Sequence, residues 1–116
     1  MIQGVHHFAV IASNEDSVAF YTRLGFEEFK RIERQHDTVV LLYGHGIQLE
    51  IFVDASHPAR AVPEPMGLRH LALRVDDIEK TRQELGLETS PVMTDWVGER
   101  YCFTADPDGN KIELHE

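Results

Sequence analysis

Hydrophobic residues occur along the chain in short runs, and the spacing within each run predicts the element that it forms. Apart from two histidines, residues 5–12 are all apolar and include three β-branched residues, which predicts a mostly buried strand. Tyr21 and Leu24 then recur at helical spacing, and Gly25 is the type of residue that commonly ends a helix. We therefore expect a strand followed by a helix, with a Ser-x-x-Asp capping box that begins at Ser13.

The strands that follow this helix complete a module, and the same order then begins again. Three strands are predicted over residues 26–34, 38–43 and 47–53. A proline-containing linker comes next, at residues 54–66. The second series of strand, helix and three strands is predicted over residues 68–75, 76–86, 91–93, 100–105 and 110–115. The chain is thus expected to be one domain, residues 1–116, built from two β-α-β-β-β modules at residues 1–53 and 67–116.

Polar residues repeat together with the hydrophobic pattern. His7 and His70 are 63 positions apart, and so are Glu50 and Glu113. In each half the histidine lies in the first strand of the module and the glutamate in the last. A repeat of this kind predicts two similar structural units.

Composition narrows the class of partner. The 116 residues contain 11 Lys and Arg against 20 Asp and Glu, for a net charge of −9, which argues against nucleic acid and anionic lipid as partners. With a single cysteine, Cys102, no intrachain disulfide can form, which is compatible with a cytoplasmic location. No signal peptide or membrane span is predicted, and the small size favours an oligomer.

The two glutamates are the first candidates for chemistry. Glu50 and Glu113 each interrupt an apolar run, where a carboxylate is costly unless it is paired, metal-bound or turned to solvent. For either glutamate alone a solvent-facing position is the ordinary explanation. If the first and last strands of each module are neighbours, however, His7 can share a face with Glu50. Two nitrogen and two oxygen ligands suit a divalent ion such as Ni, Zn, Co, Mn or Fe. His6 is expected to point to the opposite face by strand alternation.

The module order, a histidine in each opening strand and two local motifs together resemble the vicinal oxygen chelate superfamily. The motifs are Arg-His-Leu-Ala-Leu-Arg-Val-Asp-Asp at residues 69–77 and Asp-Pro-Asp-Gly-Asn-Lys-Ile-Glu-Leu at residues 106–114. That superfamily includes glyoxalase I, methylmalonyl-CoA epimerase, extradiol dioxygenases and fosfomycin- and bleomycin-resistance proteins. The resemblance implies an α+β fold in which two βαβββ modules form a cupped mixed sheet.

Within the superfamily, the His, Glu, His, Glu pattern is similar to that of glyoxalase I. The resemblance implies that one divalent metal ion is bound by His7, Glu50, His70 and Glu113. It also implies a lyase or isomerase that transfers a proton on a chelated small molecule of hemithioacetal type, with Glu113 as the base and Glu50 as its partner. The alternatives are an epimerase and a small-molecule-binding or resistance protein without turnover.

Further expectations concern the surroundings of this site. Members of the superfamily build the metal site within one chain or across a dimer, and we expect a homodimer without choosing between the two arrangements. Core packing and structural ion pairs are the usual roles of aromatic and arginine residues. As weaker candidates for a substrate pocket, we name Phe52, Trp96, Arg100 and Tyr101.

Overall fold

Each half of the chain forms one four-stranded sheet and one helix. A computed structural model describes residues 1–116 and divides the chain into units 1–59 and 60–116. The first unit contains β1 (His7–Ala12), α1 (Asp16–Arg23), β2 (Glu27–Glu33), β3 (Thr38–Gly44) and β4 (Ile47–Val53). The second contains β5 (Leu71–Arg74), α2 (Ile78–Leu85), β6 (Met93–Thr94), β7 (Arg100–Ala105) and β8 (Lys111–His115). The α+β class and the βαβββ order of each half are confirmed.

The first and last strands of each unit are neighbours. The strand orders are β1-β4-β3-β2 and β5-β8-β7-β6. The β1–β4 and β5–β8 pairs are parallel, and the remaining pairs are antiparallel, so both sheets are mixed. The helix lies in the connection that leaves the first strand, as parallel pairing requires a crossover. The histidine of the first strand and the glutamate of the last strand can lie on one face of the sheet only because these two strands are neighbours.

Several strands are shorter than the hydrophobic pattern predicts. β5 spans only Leu71–Arg74, and its first paired residue is Leu71, which lies opposite Ile112 of β8. His70 therefore precedes the strand that was expected to contain it. β6 is reduced to Met93–Thr94. Pro91 lacks the N–H that a ladder position needs, which explains why the strand does not start there.

The two helices begin in different ways. The capping box predicted at Ser13 is wrong: the N-cap of α1 is Glu15, which makes no side-chain cap. The Asn14 side-chain oxygen instead accepts the N–H of Asp16 at 2.8 Å. The start of α2 is conventional, because Asp77 Oδ1 accepts the N–H of Lys80 at 2.9 Å.

The turn before β4 is held against the end of α1. The His45 ring hydrogen bonds through Nε2 to the carbonyl oxygen of Leu24 at 2.8 Å. A Cβ atom on Gly44 would lie 2.5 Å from the carbonyl oxygen of Gly25, so only glycine permits this approach. The contact fixes where β4 starts and hence the position of Glu50.

One face of each sheet is buried in the core of its own unit. Leu49 and Ile51 are fully buried in β4, and Ile112 and Leu114 are almost fully buried in β8. Side chains alternate along a strand, so the glutamates between these residues face the other way. Both remain half-buried. Neither α1 nor α2 has the length and apolar character to span a membrane.

The N-cap of α2 can be tested by substitution. We expect Asp77→Ala to lower the free energy of unfolding by about 1 kcal/mol, because the Lys80 N–H loses its acceptor. Asp76→Ala, one residue earlier, is the matched control and should have a smaller effect. Urea unfolding followed by circular dichroism measures both, and equal losses would contradict the assignment of Asp77 as the cap.

Candidate metal centre

The first unit brings His7 and Glu50 together. In the parallel β1–β4 pair, His7 lies opposite Gln48 and Ala9 lies opposite Glu50. His7 and Glu50 therefore share the face that points away from the core, and His7 Nδ1 lies 3.4 Å from Glu50 Oε2. The same carboxylate oxygen accepts a hydrogen bond of 3.0 Å from Gln48 Nε2. An imidazole nitrogen and an oriented carboxylate thus converge at the edge of this sheet.

His6 belongs to the same group, contrary to the prediction. Its Nδ1 lies 2.8 Å from His7 Nδ1, and the two rings meet edge to face. One ligand atom from each of His6, His7 and Glu50 lies within 4.8 Å of the others. Strand alternation fails here because β1 starts at His7, so His6 is outside the strand. The adjacent His-His pair at a strand start was the signal for this cluster in the sequence.

The second unit brings His70 and Glu113 together in the equivalent way. Ala72 lies opposite Glu113 in the parallel β5–β8 pair, which reproduces the register of Ala9 and Glu50. His70 Nε2 lies 3.7 Å from Glu113 Oε2. The His70 ring packs edge to face against Phe103, with centroids 5.2 Å apart. Its Nδ1 is buried and has no hydrogen-bond partner.

These donor atoms suit a divalent ion. Two ligands bonded to one ion at about 2.0–2.2 Å lie about 3.0–3.4 Å apart, depending on the coordination angle. The His7–Glu50 separation of 3.4 Å falls in that range, and the His70–Glu113 separation of 3.7 Å is slightly longer. Both are too long for a good direct hydrogen bond. The His70 nitrogen that faces Glu113 is Nε2, and its buried Nδ1 has no hydrogen-bond partner.

An ion-pair network holds the segment that leads to His70. Glu64 accepts a hydrogen bond from Arg69 Nε at 2.9 Å, and Lys111 Nζ lies 3.5 Å from the same carboxylate. A main-chain hydrogen bond within Glu64 itself, followed by the bond from Arg69, lowers the pKa of Glu64 to about 2. This carboxylate therefore links the approach to β5 with β8, the strand that carries Glu113.

The predicted pocket residues have different surroundings. Phe52 lies two residues beyond Glu50 in β4, and Tyr101 packs against Phe103 with ring centroids 5.7 Å apart. Trp96 is 95% exposed in the turn between β6 and β7. Arg100 forms ion pairs with Glu79 of α2 and with Glu116. These contacts favour a structural role for Arg100 over a place in a substrate pocket.

A further cluster was not found from the sequence. Asp95, Glu99 and His115 each bring one ligand atom within 4.8 Å of the others. The hydrogen bond to Asp95 raises the pKa of His115. Main-chain N–H groups, first that of Glu99, lower the pKa of Asp95. Asp95 and Glu99 flank a short turn, and the register of β8 against β7 brings His115 to them, which the sequence pattern alone does not reveal.

Residues 4–114 match the family model described as the Glyoxalase/Bleomycin resistance protein/Dioxygenase superfamily. The chain belongs to this superfamily. It is 40% identical to YwkD of Bacillus subtilis, over 100% of this chain and 98% of that protein. It is 34% identical to YaeR of Escherichia coli, over 99% of this chain and 97% of that protein. The resemblance expected from the motifs is therefore confirmed.

Solved structures agree with this membership. The glyoxalase family protein from Enterococcus faecalis has a TM-score of 0.89 and 38% identity, over 98% of each chain. Lactoylglutathione lyase from Agrobacterium tumefaciens has a TM-score of 0.71 at 21% identity, over 99% of this chain and 94% of that one. The fosfomycin resistance protein FosX from Listeria monocytogenes has a TM-score of 0.74 at 22% identity, over 99% of this chain and 93% of that one. The last two share the fold, and FosX has been solved with Mn(II).

The Glu64 network predicts a dependence of stability on pH. The pKa of Glu64 is lowered from 4.5 to about 2 in the folded chain. Its contribution to the free energy of unfolding is therefore fully present above pH 4.5 and is lost as the pH falls towards about 2. We expect Glu64→Gln to lower the urea midpoint at neutral pH, and we expect the difference from the unmodified protein to shrink within that window. A difference in urea midpoint that stays constant as the pH falls to about 2 would contradict a stabilising role of the ionised Glu64.

Proposed function

We propose that this chain is a metal-dependent lyase of glyoxalase I type, which isomerises a small hemithioacetal by proton transfer. One observation carries the proposal: each unit presents a histidine and a glutamate, in the same register, on the face of its sheet that points away from the core. A half-buried carboxylate in a strand costs free energy unless it is paired or bound to a metal ion. Both units have such a carboxylate beside a histidine, which supports a shared role in metal binding.

We assign His7, Glu50, His70 and Glu113 as the ligands of one divalent ion, of the group Ni, Zn, Co, Mn and Fe. The set of two imidazoles and two carboxylates is borderline in softness and suits these ions. When bound, the ion supplies Lewis acidity towards two adjacent substrate oxygens. Family membership and the Mn(II) bound to FosX support metal binding in general, while the ligand set rests on the residues of this chain.

Glu113 is the better placed of the two carboxylates to act as the base. Glu50 accepts a hydrogen bond from Gln48 at 3.0 Å, which orients its carboxylate. Glu113 has no such amide donor, and its Oε2 lies 3.7 Å from His70 Nε2. We therefore propose that a Glu113 oxygen takes the proton from the carbon that bears the thiol and delivers it to the adjacent carbon. Glu50 acts as its partner on the substrate oxygens.

The surroundings of Glu113 fit this task. Phe103 lies opposite Glu113 in the β7–β8 register, and its ring contacts that of His70. Tyr101 packs beside Phe103. An aromatic surface next to the carboxylate restricts water and favours a small, partly apolar substrate. This supports a hemithioacetal formed from a small 2-oxoaldehyde and a thiol.

The proposal is tested with chelator-treated protein and hemithioacetals made from methylglyoxal and a panel of thiols. We expect turnover only after a divalent ion is added back. Glu113→Gln should lower kcat by about 10²–10⁴-fold, because general-base catalysis contributes an effect of that size. His57→Gln is a matched control, since His57 forms a comparable His–carboxylate pair with Asp54 outside the proposed centre. Thioester product is followed by its ultraviolet absorbance.

Two results would contradict the assignment. Full turnover by Glu113→Gln would exclude this residue as the base. A metal-free protein that binds the hemithioacetals with unchanged affinity and does not turn them over would indicate a sequestering protein.

We also propose that the chain assembles as a homodimer. Large apolar side chains of the second unit are exposed to solvent, including Val62, Met66, Leu68, Trp96 and Val97. Exposed apolar residues mark an interaction surface when they form one contiguous patch, and we propose that these residues do so. We expect a dimer by light scattering after gel filtration, and we expect Met66→Asp to weaken it. A monomer at all accessible concentrations would contradict this expectation.

A further inference from the structure

A second group of potential ligands lies on the same face of the second sheet as Glu113. His115 is two residues further along β8, so its side chain points to the same side, at a spacing of about 6.6–7 Å along the strand. Asp95 and Glu99 lie on the turn between β6 and β7, which the Asp95 N–H closes by donating to the Glu99 carbonyl oxygen at 2.9 Å. None of these three residues belongs to the His–Glu pairs described above.

The tautomer of His115 is set by its main-chain contact. His115 Nδ1 lies 2.8 Å from the main-chain oxygen of Glu116, which can only accept, so Nδ1 carries a hydrogen. In the neutral ring, Nε2 then presents its lone pair. That nitrogen lies 3.2 Å from Asp95 Oδ2 and 3.4 Å from Glu99 Oε2. An imidazole nitrogen and two carboxylate oxygens thus converge, and these are the types of atom that bind a divalent transition-metal ion.

The carboxylate of Asp95 is also oriented before any cation arrives. Its Oδ1 accepts the main-chain N–H groups of Val97 at 3.0 Å and Glu99 at 2.8 Å. This leaves Oδ2 directed at His115. A metal-binding histidine commonly donates its other ring N–H to a carbonyl, and ligating carboxylates are commonly held by hydrogen bonds. Both features are present here.

We propose that Asp95, Glu99 and His115 form a second binding site for a divalent transition-metal ion. One imidazole nitrogen and two carboxylate oxygens suit the same borderline ions as the first site. The ligands come from a short hairpin turn and the adjacent strand of one unit, so the site needs no residue of His7, Glu50, His70 or Glu113. A bound divalent ion adds positive charge to the face that carries Glu113.

The fluorescence of Trp96 can report binding of a metal ion at this site. Trp96 is the only tryptophan, and it follows Asp95 directly in the turn. A paramagnetic ion bound to Asp95 and Glu99 lies next to Trp96 and quenches its fluorescence, and the His70→Gln variant shows whether an ion bound beside Glu113 contributes to the quenching. Co²⁺ is therefore titrated into chelator-treated protein at about pH 8, because metal binding competes with protons for the ligand atoms.

We expect saturable quenching with an apparent Co²⁺ dissociation constant in the micromolar range or tighter. His115→Gln, Asp95→Asn and Glu99→Gln should each raise that constant at least about 10-fold. Asp95→Asn retains the oxygen that accepts the two main-chain N–H groups, and Glu99 is exposed, so these two variants test the site even if His115→Gln unfolds. The controls His70→Gln and His57→Gln should leave the quenching unchanged.

Each alternative outcome overturns the proposal. Quenching that does not saturate in the unmodified protein shows that the three residues form only a proton-linked ion pair. Quenching that survives all three ligand substitutions places the ion elsewhere, as does quenching that disappears in His57→Gln. If His70→Gln alone abolishes it, the ion belongs to the first site. Metal-dependent turnover is measured separately from the quenching of Trp96. If the second metal site is disproved, the proposed lyase function is therefore still open to its own test.

Discussion

The candidate chemistry of this chain depends on the parallel pairing of the first and last strands within each unit. Parallel pairing demands a long connection, and the helix and two intervening strands supply it. It brings His7 beside Glu50, and His70 beside Glu113, although the members of each pair are far apart along the chain. The register matters as much as the pairing, because a slip of one residue would turn the glutamate into the core and a leucine or isoleucine out of it.

The two registers are equivalent, and the surroundings of the two glutamates differ. Ala9 opposes Glu50 and Ala72 opposes Glu113, so a small side chain leaves room beside each carboxylate. Glu50 is restrained by Gln48, whereas the neighbours of Glu113 are the rings of His70 and Phe103. A duplicated framework can thus place equivalent carboxylates in different surroundings.

Main-chain hydrogen bonds recur wherever a polar side chain must hold a fixed position. Asp106 accepts the N–H groups of Asp108 and Asn110 in the turn before β8, which fixes the start of the strand that carries Glu113 and His115. Asp95 accepts two N–H groups in the β6–β7 turn. These bonds satisfy one carboxylate oxygen and leave the other with a defined direction, which is a form of preorganisation. The irregular segments around the second sheet are thereby ordered without a large apolar core.

The sequence by itself determined the element order, the internal repeat and the family. These follow from local periodicity, turn residues and two motifs, all of which act over a few neighbouring residues. The ends of elements were less predictable: α1 has Glu15 rather than Ser13 as its N-cap, and β5 begins only at Leu71. The sequence also identified His7, Glu50, His70 and Glu113 as candidates, through their common offset.

Only the tertiary structure decided which polar residues meet. It placed His6 beside His7, because the residue lies outside the strand and escapes alternation. It directed Arg100 to Glu79 and Glu116, on the helix side of its sheet. It also assembled Asp95, Glu99 and His115 from a turn and a neighbouring strand. Strand pairing joins residues that are remote in sequence, and no local pattern encodes the register that brings them together.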